Sequence, residues 1–426
     1  MRILIKNGRV IDPSSGIDET LDILIEKGKI VDIKAKIEDT QAKIIDATRL
    51  IVAPGFIDMH VHLREPGRED KETIETGSKA AARGGFTTIC CMPNTNPVND
   101  NRGVTEYIIS EAKRKAIVNV YPIAAVSIGS KGKELTDMVD LKDAGAIAFS
   151  DDGQPISDSN LMRRALEYSK LMDTPIIDHC EDKSLSQKGV MNEGYYSYLF
   201  GLAGIPSASE EVMVARDLIL AEKTGAKLHI AHISTKGSLE FLKIAKEKGV
   251  RVSAEVTPHH LILTDSCLAT YDTNLKVNPP LRSKSDVEAL QEALKDGLID
   301  VIATDHAPHT EDEKNVEFDY APFGINGLET AVSLILHHFV NKGIISIQKC
   351  VELFSTNPAS ILGLKNKGKI QIGGDADITI LNLHKEIIVD KNKFQSKSRN
   401  TPFHGWKLRG TPVMTIVNGK IVWDER

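Results

Sequence analysis

Gly55-Phe56-Ile57-Asp58-Met59-His60-Val61-His62-Leu63-Arg64 is the stretch whose reading decides the fold. A short apolar run opens on Pro54-Gly55 and ends in two histidines one residue apart, with an arginine two positions further on. In an extended chain residues i and i+2 point to the same side. His60 and His62 therefore face one point from the end of a strand, and the rest of the chain is read for what joins them there.

Downstream of this strand the chain alternates strand and helix. The expected strands are Gly55–His60, Phe86–Met92, Val118–Ala124, Ala146–Ser150, Pro175–His179, Lys227–His232, Val250–Glu255 and Leu298–Thr304. Helical patterns fill the gaps: Lys71–Arg83, Asn101–Lys115, Glu134–Asp143, Asn160–Met172, Ser209–Thr224, Lys236–Glu247, Lys284–Lys295 and Leu328–Val340. Near-continuously apolar strands, each followed by a helix, imply a parallel sheet covered on both faces. Eight such units over roughly 250–300 residues make a (β/α)8 TIM-type barrel. A doubly wound open sheet is the alternative, but no G-x-G-x-x-G turn supports it.

The two ends of the chain read differently. Ile3 to Asp12 looks like two short strands around Asn7-Gly8, a hairpin signal, and Leu21 to Ile33 repeats the pattern around Glu26-Lys27-Gly28-Lys29. Val413 to Trp423, around Asn418-Gly419, echoes both. The fold class is α/β: a barrel over residues 54–364, with a small flanking β domain built from both termini, residues 1–53 and 365–426.

Barrel sites lie at the carboxyl ends of the strands. There the chain places His60 and His62, Asp151-Asp152, His179, His232, and Asp305 in Ala303-Thr304-Asp305-His306-Ala307-Pro308-His309. Imidazole and carboxylate suit Zn2+ and other first-row divalent ions. His60, His62, one of Asp151 and Asp152, His179, His232 and Asp305 make six ligands, more than one tetrahedral shell, and suit two metals bridged by a carboxylate. Such metals lower the pKa of water, and Asp305 is placed to take and return its proton. His229 reads as core, His259-His260 as neighbours outside the ligand set, and His337-His338 as packing or solvent residues in mid-helix.

Bulk properties narrow the function. The 426 residues carry 53 basic and 59 acidic side chains, a net charge of −6, with no basic footprint for nucleic acid. No run approaches the ~18 apolar residues of a membrane span. Met1 to Gly8 is too short and polar for a signal peptide and reads as a first strand. Five cysteines, Cys90, Cys91, Cys180, Cys267 and Cys350, form neither a disulfide framework nor a zinc ribbon, and a reducing cytoplasm fits them.

The Gly55–Arg64 stretch with Glu65-Pro66-Gly67 resembles the first signature of the amidohydrolase superfamily and, within it, of the dihydroorotase family. The segment 303–309 resembles that family's second signature, and Cys91–Pro97, Val277–Arg282, Ala321–Glu329 and Gly373–Asp377 also match it. The resemblance runs nearly end to end and is to the long bacterial type, type I. It implies reversible, zinc-dependent cyclisation of N-carbamoyl-L-aspartate to L-dihydroorotate in pyrimidine synthesis, with two Zn2+ per subunit. By resemblance His60, His62 and Asp305 hold one zinc, and His179 and His232 the other. Many amidohydrolases bridge the metals with a carboxylated lysine after strand four, but residues 146–158 contain none, and the family pattern fits Asp152 better than Asp151.

The substrate's carboxylate calls for a cation, and a guanidinium grips a carboxylate through two parallel bonds. Arg64 is placed for this; the resemblance adds His62, Asn94, Asn278, His309 and main-chain groups at Phe323-Gly324. Asn278, before Pro279-Pro280, also suits a plain turn. An acidic loop, Glu311–Phe323, follows strand eight. Two alternatives stand beside this reading: a hydantoinase- or allantoinase-type cyclic amidohydrolase, whose families use the lysine absent here, and a non-catalytic partner of aspartate transcarbamoylase. Homodimerisation and association with aspartate transcarbamoylase are family expectations.

Overall fold

The computed structural model describes residues 2–426. The chain opens with β1 (Arg2–Asp12), β2 (Ile17–Glu26), β3 (Lys29–Lys34), β4 (Lys43–Asp46) and β5 (Ile51–Pro54). It continues through β6 (Phe56–Val61), β7 (Phe86–Cys91), β8 (Asn119–Pro122), β9 (Ile176–Asp178), the short pair β10 (Met191–Asn192) and β11 (Gly204–Ile205), β12 (Leu228–Ile230), β13 (Val252–Val256) and β14 (Val301–Ile302). It ends with β15 (Ile378–Ile388), β16 (Lys407–Val417) and β17 (Lys420–Asp424).

The two termini share one sheet. β5 pairs antiparallel with β15, Val52 opposite Ile380, giving eight strands in the order β17-β16-β15-β5-β1-β2-β3 with β4 beside β1. Ile3, Ile5, Val10 and Ile23 from the first strands pack with Ile378, Ile380, Met414 and Ile416 from the last, so neither end has a core alone.

The three glycine turns differ. Lys27-Gly28 and Asn418-Gly419 each place both residues in the left-handed region and close tight hairpins, Glu26 opposite Lys29 and Val417 opposite Lys420. The hairpin expected at Asn7-Gly8 does not form. Only Asn7 is left-handed (φ 62°), and β1 runs straight through as one strand with a register shift between Ile5 and Gly8. The reason is packing: the halves of β1 take different partners, β4 at Ile3–Lys6 and β5 at Arg9–Val10, and the missing side chain of Gly8 makes room for Val52.

The middle of the chain is α/β, as expected. β6, β7 and β8 form one parallel sheet, and β9, β12, β13 and β14 a second. Ala146–Ser150 is not a regular strand. Phe149 makes single parallel bridges to Ala124 and Ile176, and Val61 makes another to His306, so bridges link the two sheets at both edges. Strand residues Phe56, Phe86 and Ile89 pack outward on helix residues such as Ala80 and Ile108. Ile57, Met59, Cys90, Ile177 and Val301 meet across the sheets, sealed by Ala359 and Leu362. Cys90 and Cys91 are plain core.

Several helices begin at side-chain caps. Thr73, Asn101, Asp158, Thr235 and Ser283 each accept a hydrogen bond from the first turn of the helix they precede. The stretch read as a helix over Leu328–Val340 is α-helical only at Ala331–Ile335 and continues as a wider π turn over Leu336–Val340. Arg282, almost wholly buried, donates to Ser234 Oγ (2.9 Å) and Asn192 Oδ1 (3.2 Å) and lies 3.5 Å from Glu210. The Val277–Arg282 motif thus includes a buried brace behind the end of β12.

Gly55 joins the sheet of the termini to β6. A Cβ there would lie 2.6 Å from Thr87 Cγ2 and collide with the Thr87 hydroxyl, which bonds to Phe56 O. Gly55→Ala is expected to destabilise the fold by about 1–3 kcal/mol, the usual cost of overpacking. The measurement is a shifted midpoint of thermal or denaturant unfolding.

Candidate metal centre

β6 carries a register irregularity between Asp58 and Val61, and a bulge of this kind re-aims side chains. His60 and His62 leave it with ring centroids 5.4 Å apart. Asp152 comes from the turn after Phe149, His179 from the end of β9, His232 from the end of β12 and Asp305 from the end of β14. All six are buried. The backbone of His232 (φ 29°) and Asp305 (φ 47°) lies in the left-handed region, so their side chains turn back toward the strand ends.

Asp152 is the common point. Its oxygens lie 3.3 Å from His60 Nε2, 3.5 Å from His62 Nε2, 3.6 Å from His232 Nε2 and 3.8 Å from His179 Nδ1. Asp305 Oδ1 is 3.0 Å from His62 Nε2 and 3.6 Å from His60 Nε2. Two triads bring one donor atom from each member within 4.8 Å: His60, His62, Asp305 and His60, Asp152, His232. His179 stands beside them, Nδ1 2.9 Å from His232 Nε2. Asp151 points elsewhere: its carboxylate accepts from the Val126 and Ser127 amides (2.8 and 3.0 Å) and from the Ser127 hydroxyl.

The outer nitrogens of three of the four histidines are held; among the described residues His232 Nδ1 has no hydrogen-bond partner. His60 Nδ1 donates to Glu255 Oε1 (2.6 Å), His62 Nδ1 to Asn94 Oδ1 (2.9 Å) and His179 Nε2 to Glu181 Oε2 (3.0 Å). In each ring that assignment leaves the other nitrogen with a lone pair turned inward, the tautomer a metal ligand needs. His60 Nε2 and Asp152 Oδ1 are buried, face each other and have no hydrogen-bond partner. Lone pairs converging without a proton between them fit a cation.

Charge agrees. Burial opposes a positive His60, but Asp152 and Glu255 outweigh it and raise its pKa well above the usual value. Burial also opposes ionisation of Asp152, yet His60 and His232 hold its carboxyl well below the ordinary range. Asp305 is likewise held low against burial, by His62 and His60. The pocket keeps its carboxylates ionised and favours positive charge among them. The residues present fit first-row divalent metals.

One cavity of about 320 Å3 is lined by His62, Asp152, His179, His232 and Asp305, and by all the residues expected to meet substrate: Arg64, Asn94, Asn278, His309, Phe323 and Gly324. His60 lies behind its wall. Arg64 (φ 62°) is buried, with Nε on Pro308 O (3.2 Å) and one terminal nitrogen 3.4 Å from His309 Nε2. Burial and Arg68 lower its pKa to about 10, which leaves it charged at neutral pH. Asn278 donates to Glu181 Oε2 (3.0 Å), so it faces the cavity rather than only shaping a turn. Phe323 and Gly324 have main-chain groups already engaged: Phe323 O with His309 Nε2 (2.9 Å) and Gly324 N with Lys276 O (2.9 Å). The acidic loop is pinned by two buried lysines, Lys276 Nζ on Phe318 O (2.8 Å) and Lys314 Nζ on Pro322 O (2.7 Å).

Sequence reasoning missed Glu255 and Glu181. Glu255 also accepts from the His232 amide (3.3 Å) and meets His229 Nε2 (3.2 Å), so His229 is a partner of Glu255 and not of the centre. A lone carboxylate in the apolar run Val252–Val256 was the available signal. Glu181 follows His179 by two, the same spacing as His60 and His62.

Comparison with known proteins places this geometry. The Dihydro-orotase-like family model matches residues 48–238, and the Amidohydrolase family model matches residues 219–423. A dihydroorotase of Pelotomaculum thermopropionicum is 54% identical over 426 residues, covering 100% of this chain and 99% of its own. A dihydroorotase of Caldanaerobacter subterraneus subsp. tengcongensis is 56% identical over 425 residues, covering 100% and 98%. Among solved structures, the L-hydantoinase (dihydropyrimidinase) of Arthrobacter aurescens is similar with a TM-score of 0.91 at 28% identity, over 99% of this chain and 96% of its own. The dihydropyrimidinase of Brevibacillus agri NCHU1002 gives a TM-score of 0.87 at 25% identity, over 100% and 95%. With full-length relatives above half identity, the chain belongs to the dihydroorotase family of the amidohydrolases.

Proposed function

We propose that this chain is a dihydroorotase, interconverting N-carbamoyl-L-aspartate and L-dihydroorotate in pyrimidine synthesis. The observation that carries the reading is one cavity with Asp152 beside His62, His179 and His232 on one wall, His60 behind it, and the buried, charged Arg64 beside His309 on another. Full-length relatives named dihydroorotase support it. The hydantoinase-type alternative has the solved structural neighbours on its side, but a buried guanidinium facing the cavity favours a substrate that carries a carboxylate.

The proposal extends to architecture and setting. The two parallel sheets and the bridges between them are one closed (β/α)8 barrel, residues 54–364, and residues 1–53 and 365–426 are the flanking β domain. The bridges at Phe149 and Val61 support closure. Among the described residues no helix is long and apolar enough to cross a membrane, and all five cysteines are free, which suits a reducing cytoplasm. A second copy of the chain and aspartate transcarbamoylase are the partners the family suggests.

His60, His62 and Asp305 would hold one zinc ion, His179 and His232 the other, with Asp152 between them. Bound zinc supplies Lewis acidity and a lower pKa for water. The chain's own residues do the rest. Arg64 takes the substrate carboxylate with the guanidinium nitrogens that Pro308 leaves free, and Asn94, its oxygen occupied by His62, offers its NH2. In hydrolysis water adds to the ring amide carbonyl beside the methylene and the carbon–nitrogen bond breaks. The Asp305 carboxylate receives the proton from water and delivers it to the leaving nitrogen. Ring closure runs the same transfers in reverse.

Purified protein loaded with zinc is expected to turn over L-dihydroorotate and to leave hydantoin and allantoin essentially untouched. Turnover of either of those without dihydroorotate would overturn the assignment. Asp305→Ala should lose about 10^2–10^4-fold in both directions, the usual worth of a positioned acid–base group; near-normal rates in a metal-loaded variant would remove its proton role. Asp152→Ala should lower bound zinc per chain by elemental analysis. Asp151→Ala should keep the zinc but lose about 1–3 kcal/mol of stability, because two buried amides lose their acceptor. The reverse pattern would exchange the two residues' roles.

A further inference from the structure

We propose that Asn400, outside the strand-end motifs, is a positioning residue for the substrate-reading wall; this rests on the function proposed above. Between β15 and β16 the chain leaves the terminal sheet and crosses to the strand ends. Two buried carboxylates fasten this strap. Glu329 accepts from the Gln395 amide (2.8 Å) and the Ser396 amide (3.0 Å). Glu72 accepts from the Lys397 amide (3.1 Å) and the Ser396 hydroxyl.

At the end of the strap Asn400 is buried, and its side chain is fully used. Oδ1 accepts from the His309 amide (3.1 Å), while Nδ2 donates to Ala307 O (3.0 Å) and Gly324 O (3.1 Å). Its main-chain oxygen accepts from the Asn326 amide (2.8 Å). One side chain therefore ties together the segments that end in His309 and Gly324, both of which line the cavity. The backbone it clamps, Ala307 to His309, carries Pro308 O, which accepts from Arg64 Nε (3.2 Å), and the His309 ring, which donates through Nε2 to Phe323 O (2.9 Å) beside the guanidinium. Only an amide meets this demand. Aspartate would set an oxygen against two carbonyls, and alanine would leave one amide and two carbonyls unpaired in a buried place.

Asn400 does not touch the reacting atoms, so its loss should weaken ground-state and transition-state binding alike. For Asn400→Ala the KM for L-dihydroorotate should rise by about tenfold or more while kcat stays within about threefold, with zinc content unchanged. Asn400→Asp should show the same split. Hydrogen exchange provides a readout independent of substrate: peptides covering Ala307–His309 and Gly324 should exchange at least about fivefold faster in Asn400→Ala, with peptides of the terminal sheet unchanged. A KM within about twofold of wild type overturns the proposal, as does a fall in kcat alone or a lowered melting temperature with KM fixed. If the wild-type protein fails to convert dihydroorotate, the function assigned above falls, and the exchange difference alone decides whether Asn400 holds these segments: faster exchange supports the clamp and unchanged exchange overturns it.

Discussion

The hydrogen bond from His60 Nδ1 to Glu255, 2.6 Å long with both side chains wholly buried, is the contact on which the candidate centre depends. It fixes the ring's tautomer, turns Nε2 toward Asp152, and through the His232 amide holds the end of a second strand. Asn94 and Glu181 do the same for His62 and His179. Without these outer partners each imidazole could rotate or protonate on the wrong side. A buried cluster of rings and carboxylates is costly unless every charge and lone pair is matched. Burial works against ionised Glu255, yet His60 and His229 hold its pKa near 2, so the acceptor behind the ring stays charged.

What was legible in the sequence followed from local periodicity. The H-x-H spacing, the apolar runs and the acids and histidines that end them needed only strand geometry and the rule that barrel sites gather at strand ends. Asn418-Gly419 and Asn7-Gly8 read alike, yet only the first is a hairpin, because the second is overruled by two parallel partners distant in sequence. Glu255 and Asn400 escaped for a related reason. Their roles are fixed by residues about 195 and 90 positions away, at His60 and His309, and no local pattern carries that information. Asp151 and Asp152 were adjacent candidates; the direction of each side chain, set by the Val126 and Ser127 amides, separates them.

Fold and metal-ligand pattern do not choose a substrate. The hydantoinase and dihydropyrimidinase structures resemble this chain over almost its whole length at 25–28% identity, and a shared scaffold supports several cyclic-amide chemistries. Discrimination has to come from the wall facing the metal residues. Here the wall facing the candidate ligands holds Arg64, buried and still charged, its Nε donating to Pro308 O. Among the described residues no carboxylate is in hydrogen-bond contact with this guanidinium, so a ring bearing a carboxylate is favoured over a neutral one, which would leave its free N–H groups unpaired.

The backbone shows how firmly both sides of the candidate site are held. Arg64, His232 and Asp305 all adopt positive φ, a conformation that costs a non-glycine residue of order 1–3 kcal/mol and persists only where the surroundings over-determine it. Each lies just past a strand end, where the ladder has stopped supplying hydrogen bonds. What replaces the ladder is long-range: the bond from the His62 amide to His306 O, the Thr304 amide on Asp58, and the strap that carries Asn400. Strain at the site is therefore balanced by contacts between strand ends far apart in sequence and by a strap from the C-terminal segment. A segment that follows β15 thus reaches the wall of the candidate site.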